Sequence, residues 1–251
     1  MAGRLQGRVC VVSGACGGIG AASVERFQRE GATVVGVDLR PDAPGDLALQ
    51  ADVTDERQVV EVFARVRSEH GRIDVLFNNA GISPSDDRSA LDTELEAWER
   101  VQAANLRSVF LCCKHGIPHL LENDGPLRGS VINTASFVAV MGAATSQISY
   151  TASKGGVLAL SRELGVEFAR RGVRVNALCP GPVDTPLLKE LYAADPEQAA
   201  RRLVHVPMGR FASPEEIAAG ALFLASEESS YMTAATFLID GGLSGAYTTP
   251  L

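Results

Sequence analysis

The chain has 251 residues, of which 46% are hydrophobic and 21% are charged, and its formal net charge is −7 at pH 7. This length and composition suit a globular protein with a substantial core, built as one large α/β domain or two small ones. The negative charge argues against nucleic acid or an anionic membrane as a main partner.

Targeting and metal-binding signals are sparse. No apolar run approaches the length of a membrane span, and the N-terminal residues lack the apolar centre of a secretory signal. The five cysteines are an odd number without metal-ligand spacing, at positions 10, 16, 112, 113 and 179. We therefore expect reduced thiols, a cytoplasmic location and no bound metal.

The first predicted element is a buried strand over Arg8–Val12, which is short, apolar and β-branched. It opens directly into a glycine-rich stretch, Ser13–Gly20, and a helix is predicted from there to about Glu30. Glycines in such a turn let the backbone approach a ligand, and the helix N-terminus offers N–H groups to phosphate. The spacing G-x-x-x-G-x-G predicts a phosphate-binding loop, with an ordinary strand–helix turn as the alternative.

The second predicted strand, Ala32–Val37, ends in Asp38, some twenty residues past the glycines. An acid at this place can hold the ribose hydroxyls of a dinucleotide, and the alternative is a simple loop carboxylate. Two prolines and a glycine between Leu39 and Leu47 predict a connection without a helix. A third strand is predicted over Leu47–Val53.

The next helix has apolar residues at helical spacing, and Thr54 is its predicted N-cap. Strand four, Ile73–Phe77, leads into Asn78–Gly81, whose small and amide residues suit either a crevice beside a flat ligand or a plain turn. Thr93 and Glu96 then predict a capping box at the start of a long helix.

Asn105 is a polar exception on the apolar face of this long helix. A buried amide needs hydrogen-bond partners, so Asn105 is predicted to be either a satisfied core residue or a positioned site residue. Two nearby pairs are interpreted as ordinary surface features. They are His115 with His119, for which no third metal ligand is in view, and Asp86 with Asp87, which are expected to be solvated in a loop.

Strand five, predicted over Ser130–Ala135, delivers Ser136 at its C-terminal end. A helix is predicted from about Tyr150 to Arg171, and residues four apart on a helix share a face. The ammonium of Lys154 can therefore lie beside the phenol of Tyr150 and favour the phenolate, lowering a pKa that is ordinarily about 10. With a serine to hold a substrate oxygen, the group indicates alcohol–carbonyl chemistry. The alternative for Tyr150 and Lys154 is an ordinary helix-surface contact.

The remaining predicted elements are strand six over Val173–Leu178, a helix that begins with the capping box of Ser213 and Glu216, and strand seven over Ala235–Asp240. Residues 187–210 are polar and irregular and follow a strand end, which predicts a mobile lid. Alternating strands and helices predict one doubly wound, Rossmann-type α/β domain over residues 1–251. Its mainly parallel sheet would have about seven strands, with helices on both faces.

Together these residues resemble the short-chain dehydrogenase/reductase family over about Leu5–Ser244. The family's glycine pattern, T-G-x-x-x-G-x-G, corresponds to Ser13–Gly20, with serine in place of threonine. The other family motifs correspond to Asn78–Gly81 (N-N-A-G), Asn105, Ser136, Tyr150 with Lys154 (Y-x-x-x-K), and Pro180–Thr185 (P-G-x-V-x-T).

The resemblance implies that a hydride moves between a secondary alcohol carbon and the nicotinamide of NAD. Tyr150 would exchange the hydroxyl proton, Ser136 would hold the substrate oxygen, and Asn105 would anchor a proton-relaying water. Lys154 would lower the pKa of Tyr150 and bind the nicotinamide ribose. The other implied coenzyme contacts are Gly14, Cys16, Gly18, Ile19, Gly20, Asp38, Asp52, Val53, Asn79, Ala80, Gly81, Pro180, Gly181, Val183 and Thr185.

The expected function is a dehydrogenase of a small secondary alcohol, such as a polyol, sugar, cyclic alcohol or steroid. NAD is expected in preference to NADP, because a 2′-phosphate would be repelled by Asp38. A 3-oxoacyl thioester reductase, which usually goes with NADPH, is the alternative enzyme, and a dinucleotide sensor without turnover is the alternative class. The resemblance, the small residues of the 150–171 helix and the apolar C-terminal strand with its tail predict a homotetramer.

Overall fold

The computed structural model describes residues 3–143, 145–185, 203–245 and 247. Its centre is a seven-stranded sheet in the order β3-β2-β1-β4-β5-β6-β7, in which each neighbouring pair is parallel. The strands are β1 Val9–Ser13, β2 Thr33–Asp38, β3 Leu47–Gln50, β4 Val75–Asn78, β5 Gly129–Thr134, β6 Val173–Pro180 and β7 Thr236–Ile239.

Helices cover both faces of this sheet. They are α1 Gly18–Arg29, α2 Glu56–His70, α3 Leu95–Gln102, α4 Ser108–Leu121, α5 Ile148–Phe168 and α6 Pro214–Ala225. A π-helical turn, Ala103–Arg107, joins α3 to α4, and 3-10 turns lie at Phe137–Ala139, Ala169–Arg171 and Glu227–Ser229. Across the described residues, we find no helix with the length and apolar character needed to cross a membrane.

Each face of the sheet has its own apolar core. On one face α1 and α6 bury Phe27 and Leu222 against the strands. On the other face α2, α4 and α5 bury Phe63, Leu120 and Val157. Successive strand residues point to opposite faces, so a fully apolar strand contributes to both cores. The predicted doubly wound α/β architecture is confirmed.

The end of the third strand and the cap of α2 differ from the sequence-based predictions. The strand ends at Gln50 and not at Val53, because Asp52 turns the chain by accepting a hydrogen bond from the N–H of Thr54 at 2.8 Å. The N-cap of α2 is Asp55, whose carboxylate accepts from the first turn of the helix. The predicted cap at Thr54 is therefore wrong by one residue.

The predicted capping box of Thr93 and Glu96 is also wrong. The hydroxyl of Thr93 accepts a hydrogen bond from the N–H of Arg88 at 2.9 Å, while Glu94 is the N-cap and makes no side-chain cap. The capping box of Ser213 with Glu216 is confirmed.

Candidate active site

The predicted site residues meet at one edge of the sheet. The glycine loop follows β1, Asp38 ends β2, Asn79–Gly81 follows β4, Ser136 follows β5, and Gly181 follows β6. All these strands are parallel, so their C-terminal ends share an edge. β1 lies between β2 and β4, where the order of strands reverses direction, and open α/β sheets bind ligands in the crevice at such a point.

The glycine loop is packed too tightly to admit side chains at two positions. Gly14 has φ +65°, and a Cβ there would lie 2.8 Å from Cα of Ala80. A Cβ on Gly20 would lie 2.1 Å from the carbonyl oxygen of Gly14. The N-cap of α1, Gly17, has no side chain to cap the first turn, so the N–H groups of that turn are available to an anion.

The hydroxyl of Ser13 ties this loop to the segment after β4. It accepts hydrogen bonds from the N–H groups of Asn79 at 3.1 Å and Ala80 at 3.3 Å. The side chain of Asn79 donates to the carbonyl of Gly14 at 3.3 Å and accepts from the hydroxyl of Thr134 at 3.3 Å. Serine in place of the family's threonine therefore keeps the hydroxyl that holds the two predicted coenzyme segments together.

Asp38 lies against the glycine loop. Its carboxylate accepts from the N–H of Cys16 at 2.9 Å and from the N–H of Arg40 at 3.2 Å, and its side chain is 15% exposed. The guanidinium of Arg40 donates to the carbonyl of Cys16 at 2.8 Å, while its Nε lies 4.0 Å from the carboxylate. The structure thus joins the acid of β2 to the loop, with the guanidinium of Arg40 beside them.

Two further predicted coenzyme segments lie at the same edge. Val53 follows β3 and packs on the core beneath α2. Beyond β6, the N–H of Gly181 donates to Ile239 at 2.9 Å, and Val183 pairs with Ala212. Residues 187–202 of the predicted lid at 187–210 lie outside the described residues. For residues 203–210 the lid stays a prediction.

The catalytic candidates Ser136, Tyr150 and Lys154 converge between β5 and α5. Ser136 is buried, and its side chain lies close enough to the phenol of Tyr150 to influence its pKa. The Nζ of Lys154 lies 5.6 Å from the centroid of the Tyr150 ring and donates to the carbonyl of Thr134 at 2.7 Å. The spacing of four residues on the helix therefore places the Lys154 ammonium beside the ring of Tyr150, as predicted.

The pKa of Tyr150 departs from the expectation. Burial of the phenol raises its pKa, and the side chain of Ser136 acts in the opposite direction without outweighing it. Burial also lowers the pKa of Lys154 to about 8, because the charged form loses its solvation. The chain's own groups thus give a raised pKa, and not the lowered one expected from Tyr150 and Lys154 alone.

Asn105 is fully buried and lies in the π-helical turn. Its Oδ1 accepts from the N–H of Ile82 at 2.7 Å, and its Nδ2 donates to the carbonyl of Ile82 at 2.9 Å and to the hydroxyl of Ser153 at 3.1 Å. A Cβ on Gly81 would lie 3.0 Å from this Oδ1 and 3.3 Å from the Nζ of Lys154. The amide is satisfied and fixes the segment after Gly81 to α5, while its role toward water stays a prediction.

Asp87 is not the solvated loop residue that the sequence predicted. Its side chain is buried, and its two carboxylate oxygens accept from the N–H groups of Ser149 and Tyr150 at 2.9 and 2.7 Å. Its neighbour Asp86 is exposed, as expected, and pairs with Arg100. Nothing in the sequence separates these two aspartates, because the partners of Asp87 lie some sixty residues further along the chain.

The two histidines of α4 each lie beside an acid. His115 is 2.8 Å from Glu56, and His119 is 3.8 Å from Glu122. Within the described ranges, no group of three or more His, Cys, Asp or Glu side chains is arranged to hold a metal ion.

Fold and site together define an α/β oxidoreductase, and comparison with known proteins agrees. A model of the enoyl-(acyl carrier protein) reductase family matches residues 14–244. FabG of Thermotoga maritima, a 3-oxoacyl-[acyl-carrier-protein] reductase, is 40% identical over 96% of this chain and 99% of its own length. The 3beta-hydroxysteroid dehydrogenase 1 of Eggerthella lenta is 38% identical over 95% of this chain and 94% of its own.

The solved structures include similar chains. Ligand-free aldohexose dehydrogenase of Thermoplasma acidophilum matches with a TM-score of 0.89 and 30% identity, covering 100% of both chains. The chain belongs to the short-chain dehydrogenase/reductase family, whose members generally use NAD or NADP.

Proposed function

We propose that this protein transfers a hydride from the carbinol carbon of a small secondary alcohol to NAD, or from NADH to the corresponding ketone. The observation that supports this most is the convergence of Ser136, Tyr150 and Lys154 between β5 and α5, with the Nζ of Lys154 lying 5.6 Å from the centroid of the Tyr150 ring. A panel of alcohols and ketones assayed by NADH absorbance tests the proposal.

Three side chains carry the proton chemistry in this proposal. Tyr150 takes the hydroxyl proton during oxidation and returns it during reduction. Ser136 donates a hydrogen bond to the substrate oxygen and orients it toward the phenol. Lys154 holds positive charge beside the phenol and supplies donors to the nicotinamide ribose.

The glycine loop and the Asp38 carboxylate beside it fit a dinucleotide. No side chain fits at Gly14 or Gly20, so backbone can approach a pyrophosphate there, and Asp38 offers a carboxylate to the ribose hydroxyls. The hydride would pass to NAD⁺ in oxidation and from NADH in reduction. The positive charge of the oxidised ring would favour the phenolate and so oppose the effect of burial on the pKa of Tyr150.

NAD should be preferred over NADP by at least about 10-fold in kcat/KM, because a 2′-phosphate beside the Asp38 carboxylate suffers like-charge repulsion of about 1–4 kcal/mol. Arg40 is a nearby cation, but its guanidinium donates to the carbonyl of Cys16. Steady-state kinetics with each coenzyme on one active substrate measure the ratio.

The substitution Asp38→Ser should reduce this preference, because it removes the charge and keeps a small polar group. Asp42→Ser removes the same charge from an exposed position nearby and should leave the preference unchanged. Equal kcat/KM values for NAD and NADP in the unsubstituted protein would contradict the role of Asp38.

A second candidate function is reduction of a 3-oxoacyl thioester. Its support is the Thermotoga maritima relative, which is named as such a reductase and is 40% identical. This activity would appear as oxidation of NADPH with acetoacetyl-coenzyme A. A kcat/KM above that for every secondary alcohol with NAD would make it the better assignment.

The protein is expected to form a homotetramer. On α5, Val166 is 73% exposed and a Cβ on Gly155 would meet open space, and edge strand β7 exposes Leu238. Light scattering should give the tetramer mass, and Val166→Glu should lower it, since a charge is costly in an apolar interface. Val60→Glu, on the exposed side of α2, is the matched control. A monomer at micromolar concentration would refute the expectation.

A further inference from the structure

The start of helix α5 is held by a carboxylate from a distant part of the chain. The helix's own N-cap, Gln147, makes no side-chain cap, and its first turn contains no acidic residue. Asp87 lies in the connection between β4 and α3 and is only 4% exposed. Its Oδ1 accepts from Ser149 at 2.9 Å and its Oδ2 from Tyr150 at 2.7 Å.

This contact satisfies the donors that a helix leaves unpaired at its N-terminus. The N–H of Ile148 donates to the carbonyl of Arg88 at 3.1 Å, and Thr151 makes the first bond within the helix, to Gln147. The three preceding donors are thus all taken by residues 87–88. Because the two carboxylate oxygens accept from two successive amides, they restrain both the position of the first turn along the helix axis and its rotation. Their negative charge is also favourable at the positive end of the helix dipole.

The same connection is anchored at its other end beside the predicted coenzyme segment. Ile82 exchanges two hydrogen bonds with the side chain of Asn105, and the N–H of Asp87 donates to the carbonyl of Pro84 at 3.2 Å. Residues 82–87 therefore form a short link, fixed at both ends, from Gly81 to the main chain of Tyr150.

We propose that Asp87 is a positioning residue that sets the phenol of Tyr150 in register with Ser136 and with the coenzyme segment at Gly81. This inference rests on the function proposed above. Misplacement of a reacting group by about 1 Å can cost on the order of 10²-fold in rate, so the grip of Asp87 on the main chain of Tyr150 is expected to appear in kcat.

The fold should tolerate changes at this position. Ser149 is also held from α3, because Gln102 donates to its carbonyl at 2.9 Å and its hydroxyl donates to the carbonyl of Trp98 at 2.9 Å. The helix start thus keeps part of its packing when the carboxylate is removed.

The test compares kcat, KM and the Kd for NAD in four proteins: the unsubstituted chain, Asp87→Ala, Asp87→Asn and Asp86→Asn. Asp87→Ala should lower kcat by at least about 10-fold while the Kd for NAD changes by less than about 2-fold. Asp87→Asn keeps the shape of the side chain and one acceptor oxygen, so its kcat should lie between that of Asp87→Ala and that of the unsubstituted chain. Asp86→Asn removes the neighbouring charge from an exposed pair and should match the unsubstituted chain.

If Asp87 had a purely structural role, Asp87→Ala would lower the midpoint of thermal unfolding, and kcat measured below that temperature would be unchanged. A kcat within about 2-fold of the unsubstituted value in Asp87→Ala would therefore overturn the proposal. If that variant is insoluble, Asp87→Asn decides by the same criterion.

A second measurement needs no turnover. Hydrogen exchange of the amides of Ser149 and Tyr150 should be at least about 10-fold faster in Asp87→Ala, with β5 and β6 unchanged. Inactivity of both the unsubstituted chain and Asp86→Asn on every substrate would refute the proposed function. Unchanged exchange at these two amides would refute the positioning role in either case.

Discussion

Replacing Tyr150 by phenylalanine should lower kcat by about 10²–10⁴-fold, because the substitution removes the hydroxyl that exchanges the proton. The ring and its packing remain, so the Kd for coenzyme should stay nearly unchanged. Steady-state kinetics on one active substrate, with coenzyme binding measured separately by fluorescence, give both quantities.

The matched control for this substitution is Tyr231→Phe, which removes the same hydroxyl from a fully exposed side chain and should leave kcat unaltered. Retention of more than about a tenth of the original kcat in Tyr150→Phe would mean that another group exchanges the proton, since general acid–base catalysis is worth more than that.

Replacing Lys154 by methionine should have a similarly large effect on turnover, with kcat/KM lower by at least about 10²-fold. The substitution removes the charge beside the phenol and the donor predicted to hold the nicotinamide ribose. Unlike the tyrosine variant, this one should also weaken coenzyme binding. Kinetics together with a binding titration separate the two variants, and unaltered coenzyme affinity would contradict the ribose-binding role.

The same variant makes a prediction about stability that depends on pH. Burial lowers the pKa of Lys154 from 10.5 to about 8 in the folded protein. The unfolded chain therefore binds more protons between pH 8 and 10.5, and the free energy of unfolding of the unsubstituted protein rises with pH across that window. A shift of this size corresponds to roughly 3 kcal/mol.

Lys154→Met lacks this titration, so the unsubstituted protein should gain stability relative to the variant as the pH rises from about 8 to 10.5. Urea denaturation at both ends of the window measures the change, and other titrating groups cancel in the difference. A difference in free energy of unfolding that is constant with pH would show that Lys154 titrates normally in the folded protein.

The fold could be predicted because its signals are local. Apolar runs such as Val9–Val12, followed by glycines and an amphipathic helix, repeat along the chain and specify parallel strands with helices between them. The same holds for Ser136, Tyr150 and Lys154, since strand ends and helical spacing alone bring such residues together. For these residues, the local sequence pattern and the tertiary structure give the same arrangement.

The features that sequence reasoning missed depend on contacts between distant segments. Thr93 resembles a helix cap but bonds Arg88 instead, and the helix it was expected to start is interrupted by a π-helical turn at Asn105. Asp87 caps a helix that begins some sixty residues later. The raised pKa of Tyr150 likewise reflects burial, which spacing along one helix does not reveal.

The most direct test of hydride transfer between NAD and a secondary alcohol is a substrate panel. Polyols, sugars, cyclic alcohols and steroids would each be incubated with the protein and NAD, and NADH absorbance would be followed, with ketones and NADH tested in reverse. At least one alcohol should produce NADH with the unsubstituted protein and none with Tyr150→Phe. Binding of NAD without conversion of any alcohol or ketone would contradict the account.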